Sequence, residues 1–201
     1  VTIAGERHLM PRPFLVMATQ NPIEHEGTYS LPEAQVDRFL FKLNLRYPTR
    51  EEEQRIVERM AHPELALQAT PAASLEEIIT ARRWMDQVYL DDKILQYILD
   101  LVFATRPGAR SQLSPRQAEA ELKDLDVYIQ YGVSPRASIM LSLAARAAAF
   151  MAGRAYVVPQ DVKDVAPDIL RHRLILTYEA EAEEITSDEI IRRLLDQLRT
   201  P

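Results

Sequence analysis

An asparagine and two arginines have the type and the setting to act on a phosphate group. Asn21 follows an apolar run, Phe14 to Ala18, that stops abruptly in Thr19-Gln20-Asn21-Pro22. A buried parallel strand reads as a near-continuous apolar run. Ligands of open α/β sheets sit at the carboxyl ends of such strands. An amide delivered there is neutral and is both donor and acceptor. It suits a phosphate or an attacking water; the plainer reading is a strand-ending Asn-Pro turn. Arg38 forms an Asp37-Arg38 pair at the mouth of a second apolar run. An arginine can stabilise charge on a transferring phosphoryl group, in cis or from a neighbouring subunit. It can equally be a surface arginine paired with Asp37, although adjacent strand residues point to opposite faces.

Arg136 is the third. Ser134 suits an N-cap and Pro135 the first helical position, which puts Arg136 in the first turn of a helix. A cation is unfavourable there by about 0.3–1 kcal/mol. An anion shared between the arginine and the helix N-terminus would offset that cost; so would a nearby carboxylate. Ser114-Pro115-Arg116 repeats the same triplet upstream, followed by Gln117, Glu119 and Glu121. With acidic company for its arginine, it reads as a capped surface helix.

Other chemistry is absent from the sequence. There is no G-x-x-x-x-G-K-[ST] loop, and the five glycines are dispersed. His8, His25, His62 and His172 show no metal spacing. Val88-Tyr89-Leu90-Asp91-Asp92 imitates a strand ending in acidic metal ligands, but its helical surroundings make it a helix junction. No cysteine is present, so neither disulfides nor thiolate chemistry is available. That suits a reducing compartment. The net charge of −6 argues against a general nucleic-acid binder. No stretch reads as a membrane span or a signal peptide.

The elements that must position these residues divide the 201-residue chain in two. Val1 to Met10 reads as a hairpin turning at Gly5, with His8 to Met10 in its second arm. Phe14 to Ala18 and Phe39 to Leu45 read as strands, with a short helical turn over Glu33 to Asp37. Thr49 caps a helix that begins with Glu51, Glu52 and Glu53. Ser74 to Glu77 and Thr186 to Glu189 read as capping boxes. Helical spacing joins Ile94, Leu95, Ile98, Leu99 and Val102, and again Ile190, Ile191, Leu194, Leu195 and Leu198. A long Ala-rich helix runs from Pro135 to about Gly153, and a shorter one from Pro159 to Leu170. The fold class is therefore α/β followed by all-α. Residues 1–48 form the α/β piece, 49–73 a connecting helix and linker, and 74–201 a helical domain.

The segments ATQNPIEHEGTYSLPEAQVDRF, YPTREEE, GVSPRAS, AGRAYVVPQDV and VAPDILRHRLILT, in this order and spacing, resemble the MoxR family of AAA+ ATPases. The resemblance implies a partial P-loop NTPase core followed by a helical-bundle lid. It implies that Asn21 is the sensor 1 residue orienting the attacking water. It makes Arg38 the arginine finger, acting in trans, and Arg136 the sensor 2 arginine on the ATP phosphates. The parent protein would be an ATP hydrolase using ATP and Mg²⁺, driving chaperone-like remodelling of protein complexes in the cytoplasm. It would form a homo-oligomeric ring, typically a hexamer, and work with a von Willebrand factor A domain protein or another client. The phosphate-binding loop and the acidic magnesium strand would lie before Val1. The chain alone is then expected to hold no metal, to bind nucleotide weakly and not to hydrolyse ATP. Residues 106–124 look longer and more polar than the family's usual connection and read as a surface insertion. The alternatives are a non-catalytic helical interaction module and, behind it, a nucleic-acid-remodelling AAA+ protein.

Overall fold

The computed structural model describes residues 2–10, 13–20, 31–61, 69–118, 120 and 122–201. It opens with a two-stranded hairpin, β1 (Thr2–Ile3) and β2 (Glu6–Arg7), turned by Ala4 and Gly5. Its second arm is Glu6–Arg7 rather than His8 to Met10. A helical turn, α1 (Glu33–Val36), precedes the Asp37-Arg38 pair. The expected strands at Phe14 to Ala18 and Phe39 to Leu45 do not form; both stretches are irregular and largely exposed. A strand exists only through its ladder to another strand, and none of the described residues offers one there.

Helices α2 (Arg50–Met60) and α3 (Leu75–Asp86) both start at capping boxes. Thr49 and Glu52 close the first, Ser74 and Glu77 the second. Neither helix buries a residue fully. The core lies further on, in α4 (Asp92–Ala104), α5 (Pro135–Met151), α6 (Pro159–Leu170) and α8 (Ser187–Gln197). Ile98 and Leu101 of α4, Leu141 of α5, Ile169 and Leu170 of α6, and Ile190 and Leu194 of α8 are fully buried. The most extensive helix pairing is α5 on α6. Ala137, Ala145 and Ala149 are fully buried in α5, and side chains this small allow a close interaxial approach. Asp91 caps α4 through the Lys93 N–H, making Val88 to Asp92 the helix junction the sequence suggested. Tyr89 pairs there with Ala155 and Val157, tying the junction to the α5–α6 connection. Strands β3 (Ile129–Tyr131) and β4 (Ile175–Leu176) pair antiparallel with a bulge, and α7 (Tyr178–Ala182) leads into α8. Thr186 caps α8 through the Glu189 N–H. The Glu189 carboxylate turns instead to Arg192 and Arg193, so the box is half made.

Residues 106–124, expected to be a surface insertion, are exposed or half-buried at most of their described positions. Pro107–Gln112 and Pro115–Gln117 form 3₁₀ turns, the first of them against α4, and Gln117 and Leu122 are buried. Ser114-Pro115-Arg116 is not a capped helix, since Ser114 makes no capping bond. Its N–H and Oγ instead donate to buried Asp100, at 2.8 and 2.6 Å, joined by Gln117 Nε2 at 3.2 Å. A buried carboxylate must be hydrogen-bonded, and this turn supplies the donors. No helix among the described residues is long and apolar enough to cross a membrane.

Candidate functional site

The site is organised by a carboxylate, Asp37. The turn after α1 carries it to the N-terminus of α5. There Ser134 does two jobs. Its Oγ accepts from the Arg136 N–H at 3.2 Å, capping the helix, and donates to Asp37 Oδ1 at 3.0 Å. Arg136 Nη1 donates to Asp37 Oδ2 at 2.9 Å. The strand-like turn before Ser134 is held tightly. Val133 N–H donates to Thr105 Oγ1 and Arg106 Nε to Val133 O. Gly132 sits against Thr105, where a Cβ would lie 2.4 Å from the carbonyl oxygen.

A second arginine reaches the same carboxylate from the other side. Arg173, just past α6, donates from Nε to Asp37 Oδ1 at 3.1 Å and from Nη2 to Asp37 O at 2.9 Å. It also donates to Phe39 O, to Leu40 O at 3.4 Å and back to Ile169 O. Helix α6 ends with carbonyls lacking intrahelical partners. Arg173 fills the one on Ile169, and the Lys42 N–H fills that on Asp168. The two arginines differ in setting: the Arg136 side chain is 51% exposed and that of Arg173 0%.

The electrostatics follow from these contacts. Partial burial pushes the Asp37 carboxyl up. The hydrogen bonds from Arg136 and Ser134 and the charges of Arg173 and Arg136 outweigh it, holding Asp37 below the usual carboxylate range. Burial pulls the Arg173 guanidinium down, opposed by Asp37. His172 lies between. Burial and the adjacent Arg173 charge push its pKa down to about 4, so the ring is neutral near pH 7. Its Nε2 meets Phe39 O at 3.2 Å, while Nδ1 is buried without a partner among the described residues.

Arg136 lies at the N-terminus of α5 as the Ser-Pro-Arg triplet requires, and its charge is met by a carboxylate 99 residues away. Arg38 is exposed, and Asp37 is paired with Arg136 and Arg173 rather than with it. Asn21 lies outside the described residues. Arg171, His172 and Arg173 were not picked out as site residues. Their one signal was three basic or titratable residues in a row, directly after a helix, in an acidic chain. A half-exposed arginine beside a capped helix N-terminus fits a phosphate oxygen. Among the described residues, no group of three His, Asp or Glu side chains fits a metal ion.

Residues 1–41 match the model for the ATPase family associated with various cellular activities (AAA), and residues 121–194 match the AAA lid domain. The whole chain is 44% identical to the protein named Chaperone MoxR1 of Mycobacterium tuberculosis, covering 50% of it. It is also 40% identical to the uncharacterized protein YeaC of Bacillus subtilis, covering 100% of this chain and 57% of YeaC. Protein MoxR of Methylorubrum extorquens is 30% identical across 92% of this chain, which covers 55% of that protein. A crystal structure of a candidate ATPase from Cytophaga hutchinsonii superposes with a TM-score of 0.88 at 42% identity. That match covers 100% of this chain and 58% of the other. The chain spans about half the length of the curated relatives it matches.

Proposed function

The chain belongs to the MoxR family of AAA+ ATPases, and we propose that it supplies the lid and the phosphate-sensing edge of an ATP-driven, chaperone-like remodelling machine. The observation that carries this reading is the Asp37–Arg136 contact. It joins the Asp-Arg pair to the Ser-Pro-Arg helix start, two motifs far apart in sequence, at one place. Exposed charge at that place has a use if an anion comes to it. Arg136 takes the sensor 2 role, binding a phosphate oxygen of ATP in its own subunit. Arg38 takes the finger role, stabilising charge at the site of the adjacent subunit, which requires a ring such as a hexamer. Asn21 takes the sensor 1 role, orienting the attacking water. Bound ATP with Mg²⁺ supplies the phosphoryl group whose transfer to water drives the cycle. These residues supply fixed polarity around it, which is the main lever in such transfers. The machine works in the cytoplasm on a client protein, with a von Willebrand factor A domain protein as one partner of suitable kind.

The test uses the full-length protein. Arg38→Ala is expected to lower turnover by about 10³-fold or more while ATP binding, measured with a fluorescent analogue, is kept. Arg136→Ala is expected to weaken ATP binding as well. Undiminished ATPase activity in Arg38→Ala sinks the finger role. A full-length protein that neither binds nor hydrolyses ATP is an interaction module instead.

A further inference from the structure

Arg171, His172 and Arg173 are consecutive, and all three grip the stretch that carries Arg38. Arg171 Nη1 donates to Lys42 O at 2.5 Å. His172 Nε2 meets Phe39 O at 3.2 Å. The Arg173 fork takes the carbonyls of Asp37, Phe39 and Leu40 together with the Asp37 carboxylate. In return the Lys42 N–H donates to Asp168 O at 2.8 Å. The grip therefore falls on main-chain atoms on both sides of residue 38 and leaves the exposed Arg38 side chain alone. A fully buried guanidinium is a costly way to fill space, since apolar side chains of similar volume often serve stability as well or better. Its planar fork is what an apolar side chain cannot replace. The fork fixes where a main-chain segment lies relative to α6.

Asp37 connects this grip to Arg136. Its carboxylate is shared between a sealed arginine, Arg173, and a half-exposed one, Arg136. An anion in solution can compete for Arg136 but has no path to the buried Arg173 fork. Drawing Arg136 away leaves Asp37 held by Arg173 and Ser134 alone, one residue from Arg38.

We infer that Arg173 is a positioning residue for Arg38, and that Asp37 ties the occupancy of Arg136 to the way Arg38 is presented. The inference rests on the finger and sensor roles proposed above. Arg173 holds the segment to the helical domain, so the side chain presented outward moves with that domain. Asp37 is the link through which one site's phosphate is felt beside the residue serving the next site.

The experiment measures kcat, nucleotide affinity, ring assembly and thermal midpoint in the full-length protein. The variants are Arg38→Ala, Arg173→Lys, Asp37→Asn and Arg38→Ala combined with Arg173→Lys. Arg173→Lys keeps the charge and loses the fork. It is expected to lower kcat roughly 10–100-fold, the scale of a misplaced group. Nucleotide affinity should stay within about twofold, with assembly unchanged. The double variant should be no slower than Arg38→Ala alone, because Arg173 acts through Arg38. Wild-type kcat in Arg173→Lys, with Arg38→Ala inactive, overturns the inference while leaving the finger role standing. Independent, additive losses in the double variant overturn it too. Full activity in Arg38→Ala removes the finger role itself, and this inference with it. If Arg173→Lys does not fold, Asp37→Asn decides. It preserves shape and the Ser134 contact, and wild-type kcat there is the overturning result.

Discussion

Two arginines share one carboxylate, and their removal should have very different consequences for stability. Arg136 meets Asp37 at 2.9 Å with a side chain 51% exposed, whereas Arg173 meets it at 3.1 Å with a side chain 0% exposed. Distance does not distinguish them; burial does. A half-exposed ion pair contributes about 0–1 kcal/mol. Removing Arg136 also relieves a cation in the first turn of α5, which returns about 0.3–1 kcal/mol. The two effects nearly cancel, so Arg136→Ala should change unfolding free energy by less than about 1 kcal/mol. Arg173→Ala strands the carbonyls of Asp37, Phe39 and Ile169 and leaves a cavity beside α6. Breaking a buried pair in this way costs about 3–5 kcal/mol. Urea denaturation of the 201-residue chain at near-neutral pH, with both midpoints and slopes compared, measures the difference. A loss above about 2 kcal/mol in Arg136→Ala would make Arg136 a structural residue and remove the argument that its exposed charge awaits an anion. A loss below about 1 kcal/mol in Arg173→Ala would refute the grip.

Two further outcomes follow from the same region. The folded pKa of His172, about 4, lies below its ordinary value of 6.5. The unfolded chain therefore binds more protons between those values, and stability falls as pH drops through that window. Going from about pH 7.5 to about pH 5 should cost about 2 kcal/mol through this ring. His172→Gln should lose that part of the slope; equal slopes for the two proteins in urea melts would refute the assignment. Gly132→Ala would place a Cβ 2.4 Å from Thr105 O and 2.6 Å from Arg106 Cγ. It should cost about 1–3 kcal/mol as overpacking, read as a lowered thermal midpoint. An unchanged midpoint would show that the turn before Ser134 yields freely.

What was legible in the sequence was local. Thr49 with Glu52, Ser74 with Glu77, and Ser134 with Pro135 are caps whose partners lie within a few residues. Helical spacing picked out Ile94, Ile98, Val102, Ile190, Ile191 and Leu194, which are buried, but also Leu95, which is exposed. It missed Tyr97 and Leu101, which are also buried. Periodicity reports which face is apolar, but only neighbouring helices decide how wide the buried stripe becomes.

Tertiary structure alone decided the partners. The sequence offered adjacent Arg38 as one possible partner for Asp37; in the fold Asp37 belongs with Arg136 and Arg173, 99 and 136 residues away. The two Ser-Pro-Arg triplets parted for the same reason. Ser134 met a helix start and a carboxylate from the first part of the chain, whereas Ser114 met buried Asp100. The apolar run at Phe14 to Ala18 has strand composition but no neighbouring strand among the described residues. A cap closes within one turn of backbone and is written in adjacent residues. A buried arginine or a strand is completed only by atoms that folding brings from elsewhere. The sequence therefore determined the helices that begin at local caps and the family signature, and the tertiary structure decided which charges meet.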